Sequence, residues 1–426
     1  MIRTVAASSR RADRRHRSGE ISEDGKALPV IINVSTAYPS YSETFVSNEL
    51  VALSASGDTV YSYSMRRPPS ALPVIVPHIL RPIGRWGLLW WVIPGLMARC
   101  RAFRSVPRIR RDEGLRAALR NVMIDAHAAR LRRTLVKMGS DILVHAHFLA
   151  QTAEVAIRAA HGLAPVVVTV HASDADLEPT DEHRRLVRGL RGVRFASAAV
   201  SRTLSADHGQ LKDSVIVPCV TSLPPSRSLH TPERGVLRVA TVARLVETKG
   251  FADMMRAIEA AAKSGRVRWS IVGAGPLHER ISEWAAQVAA SGIDVDLLGA
   301  LPHDQALAVL DQADAFLLLP TAPVDPSRVT RGDGLPVALI EAVSRGVPVI
   351  TTPTGGIPEL IVDRVTGTIV DPMDAAAVAE SLWRAGRDEH SLQMVRDGQE
   401  HVAQHYDPEV VVPRLRAWLG QCRVGN

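Results

Sequence analysis

The chain has 426 residues, of which 46% are apolar and 22% charged, with a formal net charge of +7 and 3 Cys. A chain of this length buries an ordinary core without disulfide or metal staples, and at roughly 150 residues per domain it suggests two or three domains. Ordinary Gly, Pro and Cys counts exclude collagen-like, low-complexity and disulfide-scaffold classes. No apolar run reaches the roughly 20 residues of a spanning helix, which excludes a polytopic membrane protein.

Residues 1–28 hold seven basic groups against Asp13, Glu20, Glu23 and Asp24, a net +3. This tail is Arg-rich with no apolar stretch behind it, so it reads as disordered and not as a secretory signal. Residues 81–137 hold fourteen basic groups against Asp112, Glu113 and Asp125, a net +11, and the remainder is −7. Basicity confined to a tail and one block fits a nucleic-acid binder or an enzyme that meets an anionic membrane. Cys100, Cys219 and Cys422 lie far apart with no CxxC. That pattern fits a reducing cytoplasm and argues against a Cys-based zinc site.

From Pro29 the texture alternates. Val30–Val34 reads as a strand, Glu43–Leu53 as a helix ending at Gly57, and Val60–Ser64 as a second strand. The block 81–137 is helical by pattern, with Leu115, Leu119, Val122, Met123, Ala126, Leu131 and Leu135 at 3- and 4-residue spacings. Ile142–His145, Val166–Val170 and Ala198–Val200 are further β-rich runs, continuous in the manner of buried parallel strands. Val217–Arg234, with Pro218, Pro224, Pro225 and Pro232, reads as a linker. Strands are then expected at Arg238–Thr241, Trp269–Val272, Asp294–Leu297, Ala315–Leu319, Val347–Thr351 and Gly367–Val370, with helices between, and a final helix at Asp407–Leu419. Alternation in both halves predicts two doubly wound α/β domains with functional loops at the carboxyl ends of the strands. The boundaries fall at 1–28 for the tail, 29–222 for the first domain, 223–234 for the linker, 235–404 for the second domain and 405–426 for a helix packing back on the first.

Several motifs carry chemistry. Arg244 and Lys249 follow a strand and precede a helix, which is where a diphosphate meets two cations and a helix N-terminus; a solvated surface loop is the alternative. Gly273 and Gly275 permit a tight turn and close backbone approach, without the third glycine of a dinucleotide fingerprint. In Asp333-Gly334-Leu335-Pro336, the proline fits a helix start and the acid can contact a sugar hydroxyl or cap the helix. Glu341 stands on an otherwise apolar helix face, so it needs hydrogen-bond donors, and a ribose diol supplies two; a protein partner would serve as well. Gly355 and Gly356 open the next helix and could present amides to phosphate or simply turn the chain. His145 and His147 share a strand face, but no third ligand is indicated, so no metal is assigned. His171 and Asp174 end the next strand, and Asp174-Ala175-Asp176 matches a short Asp-x-Asp metal pattern whose single-domain context is absent here.

Taken in order, these motifs resemble the retaining glycosyltransferases of family 4, which have the GT-B fold. The resemblance runs over roughly residues 29–420 and includes Leu298-Gly299 and His303, Ala313–Phe316, Gly346–Val349 and Gly355–Glu359. Tyr38-Pro39, Ser42–Val46, His145–Phe148 and Thr169–Asp174 look like the branch that builds bacterial exopolysaccharides such as colanic acid. The resemblance implies two Rossmann-like domains facing across a cleft, the first binding acceptor and the second binding a nucleotide-sugar donor.

It also implies a transferase of the hexosyltransferase class (EC 2.4). UDP- or GDP-linked donors and a glycan or lipid-linked acceptor follow from it, with no cofactor and no catalytic metal, while the cysteine pattern and the +11 block point to a cytoplasmic setting on the inner face of the membrane. Arg244 and Lys249 would bind the diphosphate and Glu341 the ribose, with Gly273, Gly275, Gly334, Leu335 and Pro336 around the donor. Asp333 would contact the donor sugar and His171 would lie by the reacting centre, while Glu43, Thr44, His147 and Asp174 would face the acceptor. Asp333 stands where the family has Glu, one methylene longer, and Val217–Thr221 replaces the usual Gly-Val-Asp. The alternative is a catalytically impaired GT-B protein that binds nucleotide sugar or glycan. Trp86, Trp90 and Trp91 with the arginines that follow read either as an interfacial membrane contact or as core of an insertion. No DNA-reading motif is present, so no nucleic-acid partner is expected.

Overall fold

The structure is a computed structural model. It describes residues 30–40, 43–66, 76–80, 115–139, 141–175, 181–209, 211, 213–223, 233–321 and 334–424. The basic tail, the tryptophan-containing stretch, residues 224–232 of the linker, Asp176 and Asp333 lie outside these residues.

The first sheet has seven parallel strands: β1 Val30–Ser35, β2 Thr59–Ser64, β3 His78–Leu80, β4 Ile142–His147, β5 Val166–Val170, β6 Gly192–Phe195 and β7 Ser214–Ile216. Their order is β3-β2-β1-β4-β5-β6-β7. The second sheet has six: β8 Val236–Val242, β9 Arg266–Val272, β10 Ile293–Gly299, β11 Ala315–Leu318, β12 Val349–Thr351 and β13 Thr368–Ile369, in the order β10-β9-β8-β11-β12-β13. Among the described residues every pairing is parallel. Each order reverses once, between β1 and β4 and between β8 and β11, and these two switch points open crevices at the strand ends where ligands bind.

The helices are α1 Thr44–Ala55, α2 Leu115–Met138, α3 Gln151–Ala160, α4 Ala172–Ala175, α5 Asp181–Arg188, α6 Ala198–His208, α7 Phe251–Ala262, α8 His278–Val288, α9 His303–Leu310, α10 Val337–Ser344, α11 Ala375–Arg384, α12 Glu389–His405 and α13 Pro408–Val424. Helix α1 shows why they form. Val46, Leu50 and Leu53 recur at helical spacing and are buried, and the chain leaves through Gly57 at φ 90°. Helix α13 leaves the second domain and lies on the first. Its Val411, Leu415, Trp418 and Cys422 pack with Ile31, Leu50, Leu143 and Val167. Arg416 pairs with Asp58 at 2.8 Å, and the Trp418 indole donates to the Asp213 carbonyl at 2.8 Å.

One expected strand is a helix. Ala198–Val200 begins α6, and the strand lies earlier, at Gly192–Phe195. The apolar run carries no period that separates strand from buried helix. Ser197 decides it, because its hydroxyl accepts the Val200 amide as an N-cap.

The described part of the basic block serves packing. In α2, Ile124, Leu131 and Leu135 enter the first core. Arg132 donates to the Ala159 and His161 carbonyls at the end of α3, at 3.1 and 2.7 Å.

Candidate active site

The second-domain part of the candidate site is built where β8 and β11 part. Arg244 follows β8 and is exposed to the cleft, while Lys249 closes a short 3-10 turn and is buried. Gly250 explains how the lysine loop fits. It sits at φ 75°, and a Cβ there would fall on the Leu319 carbonyl oxygen after β11. Gly273 and Gly275 serve the same end. A Cβ on either would strike the carbonyl of Ala243 or Leu245. Their close approach lets the Leu245 amide donate to the Ala274 carbonyl at 3.0 Å, and the Leu277 amide to the Leu245 carbonyl at 3.1 Å. These glycines therefore hold the Arg244 loop against its neighbour.

Helix α10 begins after Gly334-Leu335-Pro336, and Glu341 lies within it at 4% exposure. The sequence left open whether this carboxylate has a protein partner. His303, at the start of α9, supplies one, with Nε2 2.8 Å from Oε1. That hydrogen bond, outweighing burial, raises the His303 pKa.

The first-domain part of the candidate site is built at the ends of β1, β4 and β5. His171 packs between Phe45 and Phe148, with ring centroids 4.7 and 4.5 Å away. Burial holds its pKa well below the usual histidine range, with His147 adding to the shift, so the ring is neutral at physiological pH. Asp174 does not reach toward the cleft. Its carboxylate accepts the His171 amide at 2.9 Å, and burial raises its pKa to about 7. Thr44 opens α1. Glu43 precedes it, with its pKa raised by burial against the opposing charges of His147 and of Arg244 in the other domain. Glu43 and Arg244 thus lie within electrostatic reach of each other across the two domains.

His147 is buried beneath this part of the site. Sequence reading paired it with His145 and found no third group. Glu49, one face along α1, is that group, and Arg194 of β6 completes the cluster. Burial alone raises the Glu49 carboxyl, but Arg194 first and His147 next outweigh it and hold it well below the usual carboxylate range. Arg194 also donates to the Val217 and Pro218 carbonyls, fixing where the chain leaves the first domain. A charged residue inside the strand Gly192–Phe195 was the available signal, since a buried guanidinium demands partners.

The domains touch beside His171. Gly334 lies against Ala172 and Val200, and the Gly356 amide donates to the Gly334 carbonyl. Glu359, quoted within a motif but given no role, accepts the Ala198 and Ala199 amides at 2.9 and 2.8 Å.

With this geometry in place, comparison with known proteins is informative. Residues 230–401 match the family model described as glycosyl transferases group 1. This segment is similar to a glycosyl transferases group 1 domain. It contains Arg244, Lys249, both glycine turns, Glu341 and Glu359. The chain is 32% identical over 186 residues to the putative colanic acid biosynthesis glycosyltransferase WcaL of Salmonella typhimurium, covering 43% of this chain and 45% of that protein. It is 34% identical over 165 residues to the amylovoran biosynthesis glycosyltransferase AmsK of Erwinia amylovora, 38% of each chain. The chain thus spans less than half the length of these curated relatives.

Among solved structures, Anabaena Alr3699/HepE in complex with UDP-glucose superposes with a TM-score of 0.65 at 14% identity, over 92% of this chain and 99% of that one. Sucrose-phosphate synthase from Thermosynechococcus elongatus gives 0.66 at 16% identity, over 92% and 98%. The two domains together make the GT-B fold. Among the described residues no helix is long and apolar enough to cross a membrane.

Proposed function

We propose that the chain is a retaining glycosyltransferase. It would move a sugar from a nucleoside-diphosphate sugar to a glycan or lipid-linked acceptor in cell-surface polysaccharide synthesis. The observation that carries this reading is the switch-point crevice of the group 1 domain. It holds Arg244 on the cleft wall, Lys249 behind it and Glu341 fixed by His303. The relatives' names point to polysaccharide assembly, and HepE was solved with UDP-glucose.

In this reading, Arg244 and Lys249 stabilise the diphosphate as it leaves, where charge develops. Their two positive charges take the part a divalent metal plays elsewhere, so transfer needs no catalytic metal. Glu341 uses the oxygen not held by His303 to accept a ribose hydroxyl. Gly334, Leu335 and Pro336 shape the donor pocket, and Asp333, outside the described residues, would meet the donor sugar. His171, neutral and buried, offers a hydrogen bond and shape next to the reacting centre, not a charge. Glu43 and Thr44 line the acceptor wall, while His147 and Asp174 support it from beneath. Positioning and electrostatic preorganisation then supply the rate enhancement.

Thermal-shift and transfer assays with UDP-, GDP- and ADP-sugars test the proposal. The cognate donor raises the unfolding midpoint with the logarithm of its concentration. Glu341→Ala weakens that response, and wild type turns the donor over. Donor binding with no turnover by wild type would convert the reading to a sugar- or nucleotide-binding protein. The cytoplasmic, peripheral setting belongs to the same proposal. Flotation with anionic liposomes tests it, and equal recovery on neutral liposomes removes it.

A further inference from the structure

Beneath the acceptor wall lies a group of side chains that the transfer chemistry does not use. Glu49 comes from α1, and His145 and His147 from the end of β4; they are 1%, 0% and 0% exposed. Glu49 Oε1 lies 3.3 Å from His145 Nδ1 and 3.4 Å from His147 Nε2, and the three atoms all lie within 4.8 Å of one another. None of the three makes a hydrogen bond. A proton shared between imidazole and carboxylate would draw them to about 2.8 Å with good alignment. Three buried ligand atoms face one region with no hydrogen-bond partner in good geometry, and an electrophile held among them would satisfy all three.

The spacing identifies the class. Nitrogen and oxygen ligands about 2.0–2.2 Å from a tetrahedral zinc ion stand about 3.4 Å apart. Two of the three residues have the outer contacts of metal ligands, and His147 Nδ1 has none. The other nitrogen of His145, Nε2, is 2.8 Å from Thr169 Oγ1, and the other oxygen of Glu49 receives Arg194. Metal-bound histidines and carboxylates are oriented in this way through their free atoms. The ligands stand on rigid elements, since β4 is central in its sheet between β1 and β5. Two imidazoles and one carboxylate suit zinc and its neighbours among the first-row transition metals, and not calcium or magnesium, which take oxygen ligands.

We propose that Glu49, His145 and His147 bind one divalent transition-metal ion of the zinc class as a structural site. A water or hydroxide takes the fourth position, and hydroxide would offset the positive charge beside Arg194. The ring of His147 stacks 5.7 Å from that of His171, so the ion fixes the layer on which the acceptor wall rests. This proposal does not depend on the transfer reading, and its test needs no activity.

The test uses the full chain, produced without a polyhistidine tag, folded in the presence of Zn2+ and passed over a chelating resin. Elemental analysis is expected to find about one zinc per chain, because metal taken up on folding is held by the folding free energy. Protein produced with Co2+ should show the intense visible bands of a four-coordinate ion, and stripping the metal should lower the unfolding midpoint. His147→Gln should lose the stoichiometric metal. If that variant does not fold, the wild-type cobalt spectrum and midpoint decide alone. Folded wild-type protein with far less than one equivalent, no cobalt bands and no midpoint shift would overturn the proposal. Equal metal content in folded wild type and His147→Gln would do the same.

Discussion

The contact most open to a quantitative test is Glu359. Its two carboxylate oxygens accept the first two amides of α6, at 2.9 and 2.8 Å, across the gap between the domains. Those amides have no partner within the helix, and the helix dipole favours a negative charge at that end. Hydrogen bonds to a charged group contribute about 1.5–3 kcal/mol each when buried. Glu359 is only half-buried, so water recovers part of this on opening, and about 2–3 kcal/mol for the pair is a reasonable total. Glu359→Ala should then shift the balance between touching and separated domains about 30- to 160-fold toward separation. Glu359→Gln keeps one acceptor, loses the charge and should shift it about tenfold. Resonance energy transfer between one dye on each domain reads the shift directly. The unfolding midpoint should move little, because each domain retains its own core. An unchanged distance distribution in Glu359→Ala would refute the argument. So would a Gln variant as separated as the Ala variant, since charge would then carry no part of the contact.

Three further outcomes follow from the same coordinates. Gly250→Ala combines φ 75° with a Cβ on the Leu319 carbonyl, and should cost more than about 3 kcal/mol, read by denaturant unfolding. A midpoint near wild type would show that the lysine loop is not pinned to β11. Asp174 has a pKa raised to about 7 by burial, so the fold holds a proton that the unfolded chain has already released. Its contribution is therefore full below pH 3.8 and is lost as pH rises through about 7, on the order of a few kcal/mol in all. Asp174→Asn, which fixes the neutral form, should flatten that part of the stability profile. The His303–Glu341 pair carries the matching sign for a raised histidine. Its contribution is full below pH 6.5 and fades as pH rises past the elevated value, and His303→Ala should abolish that fade and weaken donor binding by about tenfold.

The strands and turns of the second domain were largely legible because its candidate site residues are written in linear order. Each glycine turn or charged loop follows its own strand, so Arg244, Lys249, Gly273, Gly275 and Glu359 each follow closely on a strand end, while Glu341 is announced by the proline that opens its helix. What local sequence does not carry is the partner of each. His303 stands 38 residues before Glu341, and Gly250 owes its role to a carbonyl 69 residues later. Misreading Ala198–Val200 as a strand has the same origin. Its helix starts at Ser197, and a carboxylate 160 residues onward takes its remaining amides.

The first domain hides its site more deeply, and the sheet order explains why. β1 is paired to β2 on one side and β4 on the other, so α2 and the whole basic block lie in sequence between strands that are neighbours in space. Glu49 and His145 are 96 residues apart, and Arg194 lies another 49 beyond, yet all three point into one buried cluster. A buried charge is stable only among its partners. An Arg inside a four-residue apolar strand and a Glu on the apolar face of a helix are therefore each evidence of the other. Read that way, the ionisable residues on apolar faces locate the buried cluster of the first domain as surely as the glycine turns locate the Arg244 loop of the second. The signal is chemical incongruity at a position, not a motif along the chain.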